Sequence, residues 1–85
     1  MLQDFYGIIQ VKHYQSGRLR LQTDALIENV ELELEFLANL RQLSGIRAVK
    51  VNSVIGSILI HFDEKVIESS FLYLIVLKLL HLEEE

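Results

Sequence analysis

Three side chains in this sequence have the chemistry of a transition-metal site: His13, His61 and Asp63. Imidazole nitrogens and a carboxylate oxygen suit zinc, nickel or iron(II) better than copper(I), which prefers sulfur. The two histidines are far apart in the chain, so only the fold can bring them together. The alternative is that each histidine is a sheet residue hydrogen-bonded to backbone, because widely spaced single histidines are common.

A second group, Arg18 and Arg20 with Lys12 nearby, has the chemistry to bind an anionic partner. Guanidinium groups form paired hydrogen bonds with carboxylates and phosphates, so the two arginines are candidate partner-binding residues. The alternative is an exposed strand face whose charge is balanced by the acidic edge of a helix. Twelve acidic and eight basic side chains give a formal net charge of −4, which opposes binding to nucleic acid.

No arrangement of side chains in the sequence predicts catalysis. The chain has no cysteine, which removes thiolate metal sites and cysteine nucleophiles and fits a reducing cytoplasm. Glu31, Glu33 and Glu35 form an acidic cluster, but on a helix they point in directions about 100° apart. They therefore indicate a solvated helix flank, and we expect a protein that is not an enzyme and has no cofactor.

The segment 6–22 predicts β-structure by its alternation. Ile9, Val11 and His13 share one parity, and leucines alternate with arginines and a glutamine over residues 18–22. The Ser-Gly pair between the two stretches predicts either a tight turn or a bend in one long strand that pairs with a second subunit. We prefer the turn, and hence a hairpin, because closing a short local loop costs little entropy.

Residues 30–43 combine two patterns. The stretch VELELEF alternates like a strand, whereas Leu37, Leu40 and Leu43 extend the apolar set at a spacing of three. The whole segment is long for a strand and ordinary for a helix. The sequence therefore predicts a helix over 30–43, with Asn29 as its N-cap.

The second half of the chain predicts a β-hairpin followed by a helix. Strands are expected at Ile46–Asn52 and Ser57–Phe62, joined by a short turn that contains glycine. A helix is expected over 68–82, with Ser69 or Ser70 as its cap. That helix is apolar nearly all round, so it must be covered on more than one side.

Together these elements predict one α+β domain over residues 1–85, with the element order β-β-α-β-β-α. The order is most of a ferredoxin-like unit, an antiparallel sheet with two helices on one face. The last strand of that unit is missing after the second helix, and we expect the N-terminal strand to take its place at the sheet edge. In such a sheet the first strand pairs with the third, so His13 and His61 are expected to face each other, with Asp63 at the strand end.

Three stretches resemble heavy-metal-associated domains of the second type. HYQSGRLRL at 13–21 is similar to that family's His-x-x-x-Gly-Arg-x-Arg-x signature. LSGIRAVKVN at 43–52 resembles its L-x-G-V-x-x-V-x-x-N junction, and GSILIHFD at 56–63 resembles its G-S-x-x-I-x-Y-D strand. The stretches occur in order and at suitable spacings, so the resemblance implies the same ferredoxin-like fold.

The resemblance implies an interaction module connected with metal homeostasis. Ordinary heavy-metal-associated domains hold copper(I) between the two thiolates of a CxxC loop, but the corresponding loop at 23–28 has no sulfur. Domains of the second type occur at the cytoplasmic N-terminus of metal-transporting P-type ATPases, or as small separate proteins. Such a transporter is therefore a candidate partner, and the alternative function is a carrier or sensor of zinc, nickel or iron(II) through His13 and His61.

The apolar content of the chain predicts self-association. It reaches 51% without glycine, which is high for a chain that buries only about 60% of its unfolded surface. We expect a homodimer or larger assembly in which the last helix contacts a neighbour through Phe71, Leu72 and Leu79. The apolar run in that helix is too short to span a bilayer, and the N-terminus lacks the pattern of a signal peptide, so we expect a soluble cytoplasmic protein.

Overall fold

One antiparallel sheet backed by two helices organises residues 9–82, which are the residues that the computed structural model describes. Its elements are β1 (Ile9–Gln15), β2 (Arg18–Thr23), a 3-10 helix (Asp24–Leu26), α1 (Val30–Leu40), β3 (Ile46–Asn52), β4 (Ser57–Phe62) and α2 (Ser69–Leu79). The strands lie in the order β1-β2-β4-β3. This is the predicted α+β, ferredoxin-like arrangement, and β3 and β4 have the predicted bounds.

β1 and β2 form a hairpin within the chain, with Gln15 opposite Arg18 at its tip. The tight turn requires Gly17, whose φ of +78° is easily adopted only by glycine. The Gly17 carbonyl also accepts the Phe62 N–H at 2.9 Å, which ties the turn to the end of β4. The predicted hairpin is confirmed, the single bent strand is wrong, and β1 fills the vacant sheet edge. The predicted strand residues 6–8 lie outside the described part of the chain.

A β-bulge at Lys12 changes the direction in which the second half of β1 faces. Val11 lies opposite Leu21 and His13 lies opposite Arg20, so Lys12 is the extra residue of the bulge. Residues that are directly opposite point to the same face. Val11 therefore lies on the helix side of the sheet and His13 on the other side. The prediction that these two residues share one face of the strand is wrong.

The two faces of the sheet have different environments. On one face the strands pack against both helices, and the buried core there includes Leu19, Leu21, Phe36, Leu40, Val49, Ile58, Ile60, Phe62, Leu72 and Val76. No described element covers the other face. We call it the open sheet face and define it by His13, Arg18, Arg20, Gln22, Ala48, Lys50, Asn52, Ser57, Leu59 and His61. The predicted separation of leucines from arginines in β2 is confirmed.

α1 begins at the predicted residue. The Asn29 side chain accepts a hydrogen bond from the Leu32 N–H at 3.1 Å, which satisfies one of the N–H groups left free in the first helical turn. The helix ends at Leu40, three residues before the predicted end. It ends there because the chain tightens, with the Leu43 N–H donating to the Leu40 carbonyl at 3.1 Å.

Asn29→Ala is expected to lower the free energy of unfolding by about 1 kcal/mol, because the Leu32 N–H loses its partner. Urea denaturation followed by circular dichroism measures the change. Asn39→Ala is the matched control, since Asn39 is exposed on the same helix and alanine has the higher helix propensity. Equal losses in the two variants would contradict the capping role of Asn29.

α2 covers Ser69–Leu79, which lies within the predicted range 68–82. The predicted cap is wrong: the N-cap residue is Glu68, and it makes no side-chain capping bond. The Ser70 hydroxyl instead donates to the Glu68 carboxylate at 3.3 Å. Neither α2 nor any other helix in the described residues has the length and apolarity needed to cross a membrane.

Candidate functional site

The two histidines expected to ligate a metal do not face each other. β2 lies between β1 and β4, with His13 opposite Arg20 and His61 opposite Arg18. Two strand spacings of about 4.8 Å and an offset of two residues along the strands, about 6.8 Å, therefore place the histidine backbones roughly 12 Å apart. The expected pairing is wrong because His13 belongs to the added edge strand, and β2 is the strand that pairs with β4.

Asp63, the third expected metal ligand, is held by the turn that follows β4. One carboxylate oxygen accepts the Lys65 N–H at 2.9 Å and the other pairs with the Arg47 guanidinium at 3.3 Å. The Lys65 backbone hydrogen bond, and then Arg47, hold the pKa of the Asp63 carboxyl below its ordinary value of 3.8. Across residues 9–82 no three His, Asp or Glu side chains form a group able to hold a metal ion. The metal site stays a prediction without an assembled set of ligands.

The open sheet face is positively charged. The four strands carry one Lys or Arg in β1, two in β2 and two in β3, and they carry no Asp or Glu. Arg18, Arg20 and Lys50 lie on the open sheet face, and Lys12 lies at the bulge beside Arg20. We call these four residues the basic cluster.

No residue of the basic cluster forms an ion pair within residues 9–82. The ion pairs there join Arg47 to Asp63 at 3.3 Å and His81 to Glu35 at 3.5 Å. The acidic edge of a helix does not balance the two arginines of β2, because both helices pack on the opposite face of the sheet. The basic cluster therefore has no ion-pair partner in the described chain. Lys12, Arg20 and Lys50 are exposed, and Arg18 is half-buried.

A shallow hollow of about 260 Å³ opens beside Arg20 on the open sheet face. Lys12, Leu21, Gln22, Ile55 and Ser57 also line it, and the Gln22 side chain donates to the Ile55 carbonyl at 3.1 Å. Two cations and two neutral polar side chains in one hollow suit an anionic group. The sequence did not indicate Gln22 and Ser57, because only the register of β2 with β4 brings them together.

An apolar groove of about 390 Å³ lies on the helix side of the sheet, between β1 and α2. We call it the β1–α2 groove, and its lining residues are Val11, Tyr14, Leu19, Ser69, Ser70, Tyr73 and Leu74. None of these side chains is charged. The Tyr14 hydroxyl donates to the Glu64 carboxylate, which fixes the end of the β1 wall. β1 has β2 as its sole neighbour in the described sheet.

Of the three apolar residues expected to contact a partner, Phe71 alone is mostly exposed. Leu72 is 0% exposed and belongs to the core, so its assignment as a contact residue is wrong. Leu79 is half-buried against the same core. Leu74, 59% exposed and lining the β1–α2 groove, was missed. It was missed because an all-apolar helix sequence does not show which side packs on the sheet.

These features define a small ferredoxin-like α+β domain with two surfaces that no described element covers, one cationic and one apolar. Residues 2–85 match the family described as heavy metal associated domain 2. Because the match covers almost the whole chain, the chain belongs to this family, as the resemblance of its three stretches implied. No curated protein and no solved structure matches the chain.

Proposed function

We propose that this domain is a non-catalytic interaction module of metal homeostasis that associates with a second copy of itself through the β1–α2 groove. The observation that carries the proposal is the groove, whose lining is uncharged and includes the exposed side chains of Val11 and Leu74. Each Å² of apolar surface removed from water contributes about 25 cal/mol of favourable free energy. A complex in which a partner covers the groove is therefore stabilised. The absence of cysteine fits a reducing compartment, and the cytoplasm is the location that we propose.

A second copy of the chain suits this surface because a two-fold contact places identical surfaces against each other. The groove is lined by uncharged side chains, and the Glu64 carboxylate at its end is hydrogen-bonded to Tyr14, so two copies meet there with little repulsion between like charges. The outer edge of β1 has backbone N–H and C=O groups that antiparallel pairing with another β1 satisfies. In that arrangement the exposed Phe71 and Leu74 of one copy lie near α2 of the other.

The open sheet face does not suit the same kind of contact. In a two-fold arrangement Arg18, Arg20 and Lys50 would meet the same cations of the second copy, and like charges in contact are costly. The two uncovered surfaces therefore favour different partners, and the apolar one is the surface for self-association.

Multi-angle light scattering at micromolar concentration is expected to give at least twice the 9.9 kDa chain mass. Leu74→Lys places a charge in the groove of each copy and is expected to weaken the dimer about tenfold or more, which is about 1.4 kcal/mol. Leu34→Lys is the matched control, because Leu34 is 62% exposed against 59% for Leu74 but lies on α1 outside the groove. We expect it to leave the mass unchanged.

A wild-type chain that stays monomeric at millimolar concentration overturns the proposal of self-association. If Leu74→Lys and Leu34→Lys weaken the dimer equally, the groove is not the surface through which the two copies associate. A monomer that binds the cytoplasmic region of a metal-transporting P-type ATPase favours the transporter as partner, for which family membership is the support. Stoichiometric uptake of zinc, nickel or iron(II) in isothermal titration favours instead a carrier or sensor that uses His13 and His61.

A further inference from the structure

We propose that the open sheet face binds an acidic peptide segment of a partner protein, with Arg18 and Arg20 holding its carboxylates and Lys12 and Lys50 beside them. The observation that carries this is a cluster of four cations that form no ion pair in the described chain. The cluster lies on a sheet face that no described element covers, in a protein whose net charge is −4. The site lies on the opposite side of the sheet from the β1–α2 groove. The inference therefore does not depend on the self-association proposed above.

The spacing of the two arginines matches that of an extended acidic peptide. Arg18 and Arg20 are alternate residues of β2, so their side chains leave the same face of the sheet about 6.8 Å apart. Carboxylates at alternate positions of an extended peptide repeat at the same distance. Each guanidinium offers paired N–H donors in a planar fork that fits both oxygens of a carboxylate. One peptide in an extended conformation therefore engages both arginines at once.

The neighbouring strands extend the site on both sides of the arginines. Arg20 lies opposite Leu59, and Leu59 lies opposite Lys50. The half-buried Leu59 forms an apolar floor between these two cations, which lowers the local exposure to water and strengthens an ion pair made there. On the other side, the hollow that Arg20 shares with Lys12 accommodates one carboxylate group.

Two features favour a peptide over a nucleic acid as the bound anion. The open sheet face carries no Phe, Tyr or Trp on which bases stack, because Tyr14 and Phe62 lie on the helix side of the sheet. The net charge of −4 also repels a long polyanion that extends beyond the basic cluster. A short acidic segment, by contrast, contacts only the cationic face.

Fluorescence anisotropy with a labelled peptide that alternates glutamate and serine tests the proposal. Binding is expected to weaken as salt is raised, because the Debye length is about 10 Å at 0.1 M. Arg18→Gln with Arg20→Gln is expected to weaken it about tenfold or more. The matched control is Arg41→Gln with Lys78→Gln, which removes the same charge from exposed positions outside the basic cluster. We expect that control to keep most of the affinity.

Equal losses in the two double variants overturn the proposal, because net charge alone then explains the binding. Absence of peptide binding at low salt overturns it as well. So does tighter binding of an RNA oligonucleotide, or of vesicles that contain phosphatidylserine, than of the peptide. Leu74→Lys is expected to keep the affinity for the peptide, so a failure of this proposal and a failure of self-association are seen in separate measurements.

Discussion

Gly56→Ala is expected to remove a large part of the stability of the domain. Gly56 has a φ of +74°, and a Cβ added there lies 2.1 Å from the Thr23 carbonyl oxygen. Neither backbone can move away easily. The Thr23 N–H donates to the Gly56 carbonyl at 2.8 Å, and the Gly56 N–H donates to the Asn52 carbonyl at the same distance. The turn between β3 and β4 is thereby joined to the end of β2 at the one residue that must lack a side chain.

The expected loss for Gly56→Ala is about 3–5 kcal/mol, of a total that is typically about 5–15 kcal/mol. Strain from a positive φ contributes about 1–3 kcal/mol of it, and displacement of the Thr23 backbone accounts for the rest. Urea denaturation measures the change. Val54→Ala is the control from the same turn, because its side chain is 79% exposed and should shift stability by only about 0.5 kcal/mol. Equal urea midpoints of unfolding for wild type and Gly56→Ala would mean that the turn has room for a side chain at Gly56 beside the end of β2.

Leu72→Gln is expected to destabilise the domain by about 3–5 kcal/mol, since it removes buried methyl groups and buries an amide without partners. Leu74→Gln, two residues away on the same helix, is expected to change the stability of the monomer by about 0.5 kcal/mol or less because Leu74 is largely exposed in one copy. The comparison is made at a protein concentration low enough for the chain to be monomeric. Thermal and urea unfolding of the two variants measure the difference. Two variants of equal stability would show that α2 packs on the sheet through a different side.

Period-two alternation was enough to predict β2 and its buried face. β3 and β4 were predicted with the correct bounds because both are short apolar runs separated by a turn with glycine. The hairpin of β1 and β2 followed from the Ser-Gly pair and from the low entropy of a short loop. Alternation cannot reveal a bulge, however, because nothing in the sequence pattern marks the extra residue. From Lys12 onward the bulge reverses the sheet face to which each residue of β1 points. That reversal, together with the placement of His13 on the edge strand, explains why the expected facing of His13 and His61 was wrong.

Neither candidate surface could be located from the sequence alone. α2 is apolar on all sides, so no periodicity distinguishes Leu72 in the core from Leu74 on the surface. The sequence showed the charge of Arg18 and Arg20. Whether they have ion-pair partners depends on which face of the sheet the helices cover. The family was recognisable in part because three glycines of the matching stretches, Gly17, Gly45 and Gly56, have a positive φ that favours glycine.

The strand order has a consequence for how the chain reaches its folded state. β1 with β2, and β3 with β4, are adjacent in sequence and pair as hairpins, whereas β2 with β4 is the single pairing in the described sheet that closes a long loop. Local pairs form quickly, and folding slows when contacts are distant in sequence. β1 pairs with β2 across a short turn, so filling this sheet edge closes only a short loop. Pairing of β2 with β4 therefore carries the largest cost in loop-closure entropy among the strand pairings of the described sheet. It joins two hairpins that are each able to form early.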